Sequence, residues 1–347
     1  MKKNVKVNKS NVNIAIVGYG YWGPNIVRNF QEIDNASLIA CCDTKKEQLD
    51  LAKKKYPQIK ITSSFKDLLT NPSIEAIIIA TPTKTHYTLA KKALLAGKHV
   101  WIEKPMTETS EQAIELLAIA QKKKKTIHIG HVFIYTEAIA AIKHTIERGE
   151  LGDLYYFDSV RINLGLFQHD INVIWDLAPH DISIMLYLFN EYPKAVSAFA
   201  TSHVVKGLED TAYLNFKFKS GKNAHVHVSW LSPVKVRKLT IAGSKKMILY
   251  DDLEESDKIK IYDKGLTLDK KLKPVSTTSG YHYRVGDIFS PAIANKEALE
   301  TQCREFVNAI KANKSSRTSG KEGLRVVKIL EAATLSMKKN GALVEII

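Results

Sequence analysis

Short apolar runs alternate with segments of helical period along the first third of the chain. Runs that are apolar at consecutive positions suit strands buried on both faces, so the alternation predicts a doubly wound parallel sheet. The strands are predicted near Ile14–Val17, Leu38–Cys42, Ile59–Thr62, Ala76–Ala80, His99–Ile102 and Ile127–Gly130. Between them helices are predicted near Pro24–Ile33, Lys45–Lys55, Phe65–Thr70, His86–Ala96 and Glu111–Lys124. Ser64 with Asp67 and Thr109 with Gln112 have the spacing of capping pairs, and Gly97 stands where a helix should stop. After about His131 the rhythm changes to one helix near Glu137–Arg148, followed by β-rich runs at Tyr155–Ile162, Ala195–Ala200, Ala212–Phe218, Ala224–Trp230 and Leu239–Ala242. These predict a second α/β domain with an open, mostly antiparallel sheet. Helices near Glu300–Ala312 and Lys321–Met337 close the chain, and no internal repeat is visible. The expected division is 1–131 and 132–347, with the closing helices free to pack back on the first domain.

Composition narrows the class. At 347 residues, with 45% apolar and 25% charged positions, the chain suits two globular domains and excludes a disordered or collagenous polymer. No run of about 18 apolar residues occurs, and the opening from Met1-Lys2-Lys3 to Asn13 is polar, so neither membrane spanning nor secretion is expected. Cys41, Cys42 and Cys303 cannot build a disulfide framework, which fits a reducing cytoplasm. The net charge of +15 favours anionic partners. Its lysines are scattered on polar helix faces without interleaved aromatics, so nucleic acid is not an expected partner.

The segment Gly18-Tyr19-Gly20-Tyr21-Trp22-Gly23 follows a predicted strand and opens a helix at Pro24. Gly18 permits the tight turn, Gly20 lets backbone N–H groups approach a pyrophosphate, and Gly23 allows close helix–strand contact. The helix N-terminus adds the positive end of a dipole. Asp43 lies 25 residues beyond Gly18 at the end of the second strand, where a carboxylate accepts from a ribose diol and repels a 2′-phosphate. NAD is therefore expected in preference to NADP, although Lys45 and Lys46 could reach a 2′-phosphate. Asp43 could equally cap the helix that follows.

Two further segments stand at carboxyl ends of predicted strands, where open α/β sheets bind ligands: Thr81-Pro82-Thr83 with His86, and Glu103-Lys104-Pro105. Partial desolvation behind a buried strand would make Lys104 a useful proton donor. In Trp175-Asp176-Leu177-Ala178-Pro179-His180-Asp181, Pro179 is tolerated if a helix begins just before it. The i, i+4 spacing then puts Asp176 beside His180 on one face, where a carboxylate can orient an imidazole. The alternative is that Asp176 caps the helix and His180 is a core histidine. A metal is not expected, because His128 and His131 on a strand would point to opposite faces and no His-Glu-x-x-His helix occurs.

Taken together, the GYGYWG loop, ATPTKTH, EKP, IGHVFIY, WDLAPHD and the closing SGKEGLRVVKILEAA segment resemble the Gfo/Idh/MocA oxidoreductases over essentially the whole chain. The resemblance implies an N-terminal Rossmann domain, a C-terminal domain with an open sheet, and hydride exchange between nicotinamide and a sugar-like hydroxyl. It implies Lys104, Asp176 and His180 as the catalytic set. The cofactor would meet Gly18, Gly20, Tyr21, Trp22, Gly23 and Asp43, together with Thr81, Pro82, His86, Glu103 and Lys104. Substrate contacts are expected from His131, Tyr135, Arg161, Asn163, Gln168, Asn172 and Tyr283, with His169 in the same polar series. Arg161 suits bidentate capture of a carboxylate or phosphate, which points to an acidic sugar or nucleotide sugar. Pairing through the open sheets into a homodimer or homotetramer is also implied. An NAD-using glycosidase and a non-catalytic sugar-sensing regulator are the rival functions.

Overall fold

The computed structural model describes residues 11–165, 167–268 and 281–347; the polar opening 1–10 lies outside the described residues. In chain order the elements are β1 (Val12–Val17), α1 (Gly23–Glu32), β2 (Ala36–Cys42), α2 (Lys46–Lys55), β3 (Lys60–Thr62), α3 (Phe65–Thr70), β4 (Ala76–Ile79), α4 (Thr83–Leu95), β5 (His99–Ile102), α5 (Ser110–Lys123) and β6 (Ile127–Ile129). A short 3-10 helix, Val132–Tyr135, leads to α6 (Glu137–Glu147), β7 (Leu154–Ile162), α7 (Val173–Phe189), β8 (Ala195–Thr201), β9 (Thr211–Lys217) and β10 (Asn223–Ser229). Then follow β11 (Val236–Gly243), β12 (Met247–Asp251), β13 (Ile259–Leu268), β14 (Tyr281–Phe289), α8 (Ala298–Ala312), α9 (Gly320–Lys338) and β15 (Val344–Glu345).

Two units divide these elements. The first takes 1–132 and 296–327, the second 133–295 and 328–347. The first is thus built from two pieces of chain, and α8 belongs to it.

In the first unit six parallel strands run in the order β3-β2-β1-β4-β5-β6. Between β1 and β4 the winding reverses, which opens a crevice at their carboxyl ends. All four residues of β4 are fully buried, as the unbroken apolar run requires of a central strand covered on both faces. In α8, Leu299, Cys303, Phe306 and Val307 recur at helical spacing and are buried in the core with Phe30 and Trp101. Phe30, Trp101 and Phe306 meet edge to face with centroids 5.7–6.4 Å apart. Gln302 fixes the same helix to the sheet by donating to the carbonyl of Ile129 at 2.9 Å.

Nine strands form the second unit's sheet in the order β14-β13-β12-β11-β7-β10-β9-β8-β15, with β10 and β7 parallel and the other described pairs antiparallel. On β7, Phe157, Ser159 and Arg161 are buried, on the side that α7 covers. The alternate positions face the other way, where His225 pairs with Asp158 at 2.7 Å and His227 stacks on Tyr213 at 4.4 Å.

Several local expectations are corrected. β12, β13, β14 and β15 lie in stretches for which no strand was predicted. The helix expected at His86 starts at Thr83 behind Pro82. Ser64 makes no capping bond; Thr62 donates to Asp67 at 2.6 Å instead, while Thr109 caps α5 as read. Pro179 sits inside α7, six residues beyond its start, so the Trp175 carbonyl loses its usual helical donor.

Replacing Phe306 by Ala should cost about 3–5 kcal/mol by opening a cavity beside Trp101, and Phe306→Leu clearly less; urea titration followed by tryptophan fluorescence measures both. The first unit also carries histidines that burial holds neutral: His128, against Trp101 and bonded to Ser316 at 2.8 Å, is pushed down to about 3, and His99 to about 4. Because the unfolded chain binds these protons more readily, their contribution is complete above about 6.5 and is lost as pH falls toward 4. Stability measured across that window should drop, with a shallower slope in His128→Gln.

Candidate cofactor and catalytic site

The glycine loop is shaped by backbone contact. Gly18 adopts φ +95°, and a Cβ there would fall 2.4 Å from the Ala80 carbonyl oxygen; at Gly23 it would fall 2.5 Å from the carbonyl oxygen of Gly18. At Gly20 a Cβ would meet nothing within 4 Å, so this is the open side of the turn. Trp22 begins α1 without a side-chain cap and Pro24 occupies its first turn, leaving the helix N-terminus to other acceptors. Tyr21, 78% exposed, and Trp22 flank the opening edge to face at 5.8 Å.

Asp43 ties this loop to β2. Its Oδ2 accepts from the Tyr19 N–H at 2.7 Å and its Oδ1 from the Lys45 N–H at 2.8 Å. It does not cap α2, whose first flanking residue is Lys45. The ungated turn at Gly20, the bare helix end and the fixed carboxylate together fit a dinucleotide: donors for the diphosphate and an acceptor for the ribose.

At the ends of β4 and β5 the expected contacts are partly redirected. His86 is buried, with Nδ1 2.9 Å from the Pro105 carbonyl and Nε2 2.8 Å from the Thr81 carbonyl. Carbonyls only accept, so the neutral ring donates to one of the two, and His86 stands between the loops that follow β4 and β5. Thr81 Oγ1 pairs with Thr85 Oγ1 at 2.6 Å, and Pro82 stands exposed as the flank of α4. Glu103 accepts from the Trp101 indole at 3.0 Å and lies over Gly130, where a Cβ would fall 2.5 Å from its Oε1. Burial pushes its carboxyl up to about 6, against the lowering by that indole and by Lys104. The Glu103 side chain is thereby fixed against Trp101 and Gly130, and Lys104 stands half-buried at the strand end.

Lys104 has His131 for a neighbour. That ring is 1% exposed, and its two nitrogens meet no hydrogen-bond partner among the described residues. Burial, then the Lys104 charge, holds it down to about 3. His131 is thus a neutral imidazole with unused hydrogen-bonding capacity.

In the second unit Asn172 caps α7, accepting from the Trp175 N–H at 3.1 Å and donating to Glu209 at 2.8 Å. Asn172, expected to meet substrate, thus caps the helix, and Asp176 does not. Asp176 Oδ2 accepts instead from the Trp230 indole at 3.1 Å. One turn on, His180 is 8% exposed and meets the Phe133 ring at 4.8 Å and 75°. Asp181 beside it is buried and receives Arg161 Nε at 2.7 Å, Arg161 Nη2 at 3.1 Å and Ser159 Oγ at 2.8 Å. Two nitrogens of Arg161, expected to meet substrate, are thus held by Asp181. Arg161 also stacks on Phe133, its Cζ 4.3 Å from the ring centre.

Other expected substrate residues scatter. Tyr135 is buried in the 3-10 helix, Asn163 and Gln168 are half-buried on the segment before α7, and His169 is exposed there. Tyr283, 80% exposed, stands on the end strand β14. Phe133, Trp230 and Arg237 were not singled out in the sequence, where they read as ordinary members of a helix or strand. Among the described residues no group of three His, Cys, Asp or Glu could hold a metal, and no helix is long and apolar enough to cross a membrane.

Comparison with known proteins agrees in both units. Residues 12–131 match the model described as "Oxidoreductase family, NAD-binding Rossmann fold", and 139–249 match the GFO/IDH/MocA C-terminal domain. The chain is 25% identical over 345 residues to the uncharacterized oxidoreductase YrbE of Bacillus subtilis, covering 93% of each. It is 29% identical over 257 residues to UDP-N-acetylglucosamine 3-dehydrogenase of Acidithiobacillus ferrooxidans, covering 73% of this chain and 76% of that one. A solved structure of GenD2 from gentamicin A biosynthesis in complex with NAD shares the fold at a TM-score of 0.81 and 17% identity over 97% of each chain. The chain belongs to the Gfo/Idh/MocA oxidoreductase family, with an NAD-binding Rossmann domain at its N-terminus.

Proposed function

We propose that the protein is an NAD-dependent dehydrogenase or reductase of a sugar or nucleotide sugar, with Lys104, Asp176 and His180 as its catalytic set. The observation that carries this reading is the setting of His180, whose ring is packed edge-on against Phe133 on a capped helix one turn from a carboxylate. Bound nicotinamide supplies the hydride acceptor. The chain's own residues handle the proton: His180 takes it from the substrate hydroxyl as the carbon–hydrogen bond breaks and the carbonyl forms. Lys104 donates to the same oxygen and offsets its developing charge, and Asp176 orients the imidazole. His131, with unsatisfied nitrogens beside Lys104, would hydrogen-bond a second polar group of the substrate.

Support for a sugar comes from the named relatives, among them the UDP-N-acetylglucosamine and inositol 2-dehydrogenases. The same reading has copies pair through the face of the nine-stranded sheet that carries the exposed Tyr156, Phe199 and Tyr213. Three unpaired, buried thiols suit a reducing compartment.

His180→Ala should lower kcat by about 10²–10⁴-fold while the NAD Kd stays within a few-fold, measured by NADH formation and by fluorescence titration. Comparable losses in both would point to misfolding and away from proton transfer. Asp43→Ser should weaken NAD by about tenfold or more and narrow the NAD-over-NADP preference, since a charged acceptor for the ribose is lost. Unchanged selectivity would remove Asp43 from cofactor choice.

A further inference from the structure

Strands β7 and β11 pair so that Arg161 stands directly across from Arg237, two cations on one face. Like charges in that relation repel unless something intervenes. The ring of Phe133 is set against both, with the guanidinium carbons 4.3 Å and 5.6 Å from its centre. The two arginines differ in what else they hold. Arg161, with an 8% exposed side chain, is neutralised through two nitrogens by Asp181. Arg237 is 33% exposed, and among the described residues its guanidinium makes one hydrogen bond, from Nη1 to Asp252 at a long 3.3 Å. Asp252 is itself shared, its other oxygen accepting from Tyr250 at 2.7 Å. Most of the Arg237 fork therefore meets no partner among the described residues.

Phe133 also carries the edge of His180, so the two separations added together place the Arg237 guanidinium no more than about 10 Å from the imidazole. That is the reach of a hexose ring bearing an anionic substituent. We propose that Arg237 binds an oxyanion on the substrate, a carboxylate or phosphate carried one sugar ring away from the carbon that His180 serves. The proposal rests on the dehydrogenase reading for the identity of that carbon. The planar fork of a guanidinium suits both kinds of oxyanion, which here have two sources: the carboxylate of a uronic acid or the diphosphate of a nucleotide sugar.

The test uses the full chain with NADH bound and three probes: glucuronic acid, UDP-N-acetylglucosamine and neutral N-acetylglucosamine. Calorimetry should show at least one anionic probe bound about tenfold or more tighter than the neutral one, with that preference lost by about 10- to 100-fold in Arg237→Met. Arg237→Lys should fall between, since it keeps the charge without the fork. Which anionic probe responds identifies the source. Asp252→Asn serves as a variant in the opposite direction and should tighten the same probe several-fold by freeing Nη1. Equal affinity for all three probes in the parent protein, or an anionic preference that survives Arg237→Met, would overturn the proposal. Kinetics separates it from its premise. If no probe yields NADH while the Arg237-dependent anion preference persists, the dehydrogenase reading fails and the anion site stands. If NADH forms and the anionic-to-neutral ratio of kcat/KM is the same in Arg237→Met, the anion site fails and the dehydrogenase reading stands.

Discussion

The second unit depends on the pairing of Asp181 with Arg161. Both side chains are buried, so each alone would carry a large desolvation cost, and removal of either partner from such a pair costs about 3–5 kcal/mol. The geometry offsets that cost: two guanidinium nitrogens and the Ser159 hydroxyl satisfy the carboxylate. Asp181 is adjacent to His180 in sequence, so this pairing fixes how α7 is rotated over β7. The imidazole inherits that rotation, and Phe133 completes its setting. A hydrophobic replacement of the pair would give up the directional restraint next to the imidazole, however well it packed.

In the first unit the controlling constraint is space. Gly18 and Gly23 bring backbone within distances that no side chain permits, and the open side of the turn is left at Gly20. Asp43 holds the turn in place through the Tyr19 N–H while standing where a ribose acceptor is needed. Around the end of β5 the same economy is visible in the histidines. His86 stands between two backbone carbonyls, to one of which its neutral ring donates, whereas the nitrogens of His131 meet no partner among the described residues. Two residues of one type thus differ according to whether a backbone carbonyl stands within reach of the ring.

The parallel sheet was legible because β1, β2, β4 and β5 are buried on both faces and so read as unbroken apolar runs. Strands β13 and β14, at one end of the second sheet, were not, because their sequences IKIYDKGLTL and YHYRVGDIF mix charge and glycine into the alternation. The amphipathic stripe of α8 was readable, but not its destination among Phe30 and Trp101, since a helix's period does not name the core it will join. Chemistry-bearing residues followed the same division. Gly18, Gly20 and Gly23 have meanings set by local backbone and were readable in place. Arg161, Asn172 and His86 were recognised as polar residues near a site, yet their partners lie far away in sequence or in backbone atoms that carry no signature.

That division explains why the guanidinium with open donors was found on β11 and not on β7. Both arginines sit on strands, both face the same side, and both touch one phenyl ring. What separates them is depth and company: the inner one has a buried carboxylate supplied by α7, and the outer one shares an aspartate with a tyrosine. A fold that needed only packing at the outer position could place an apolar residue across from Arg161 and avoid the repulsion altogether. Keeping a second cation there, partly open to solvent and next to the ring that holds His180, costs electrostatic energy that packing alone does not require, and an anion on the substrate would offset it.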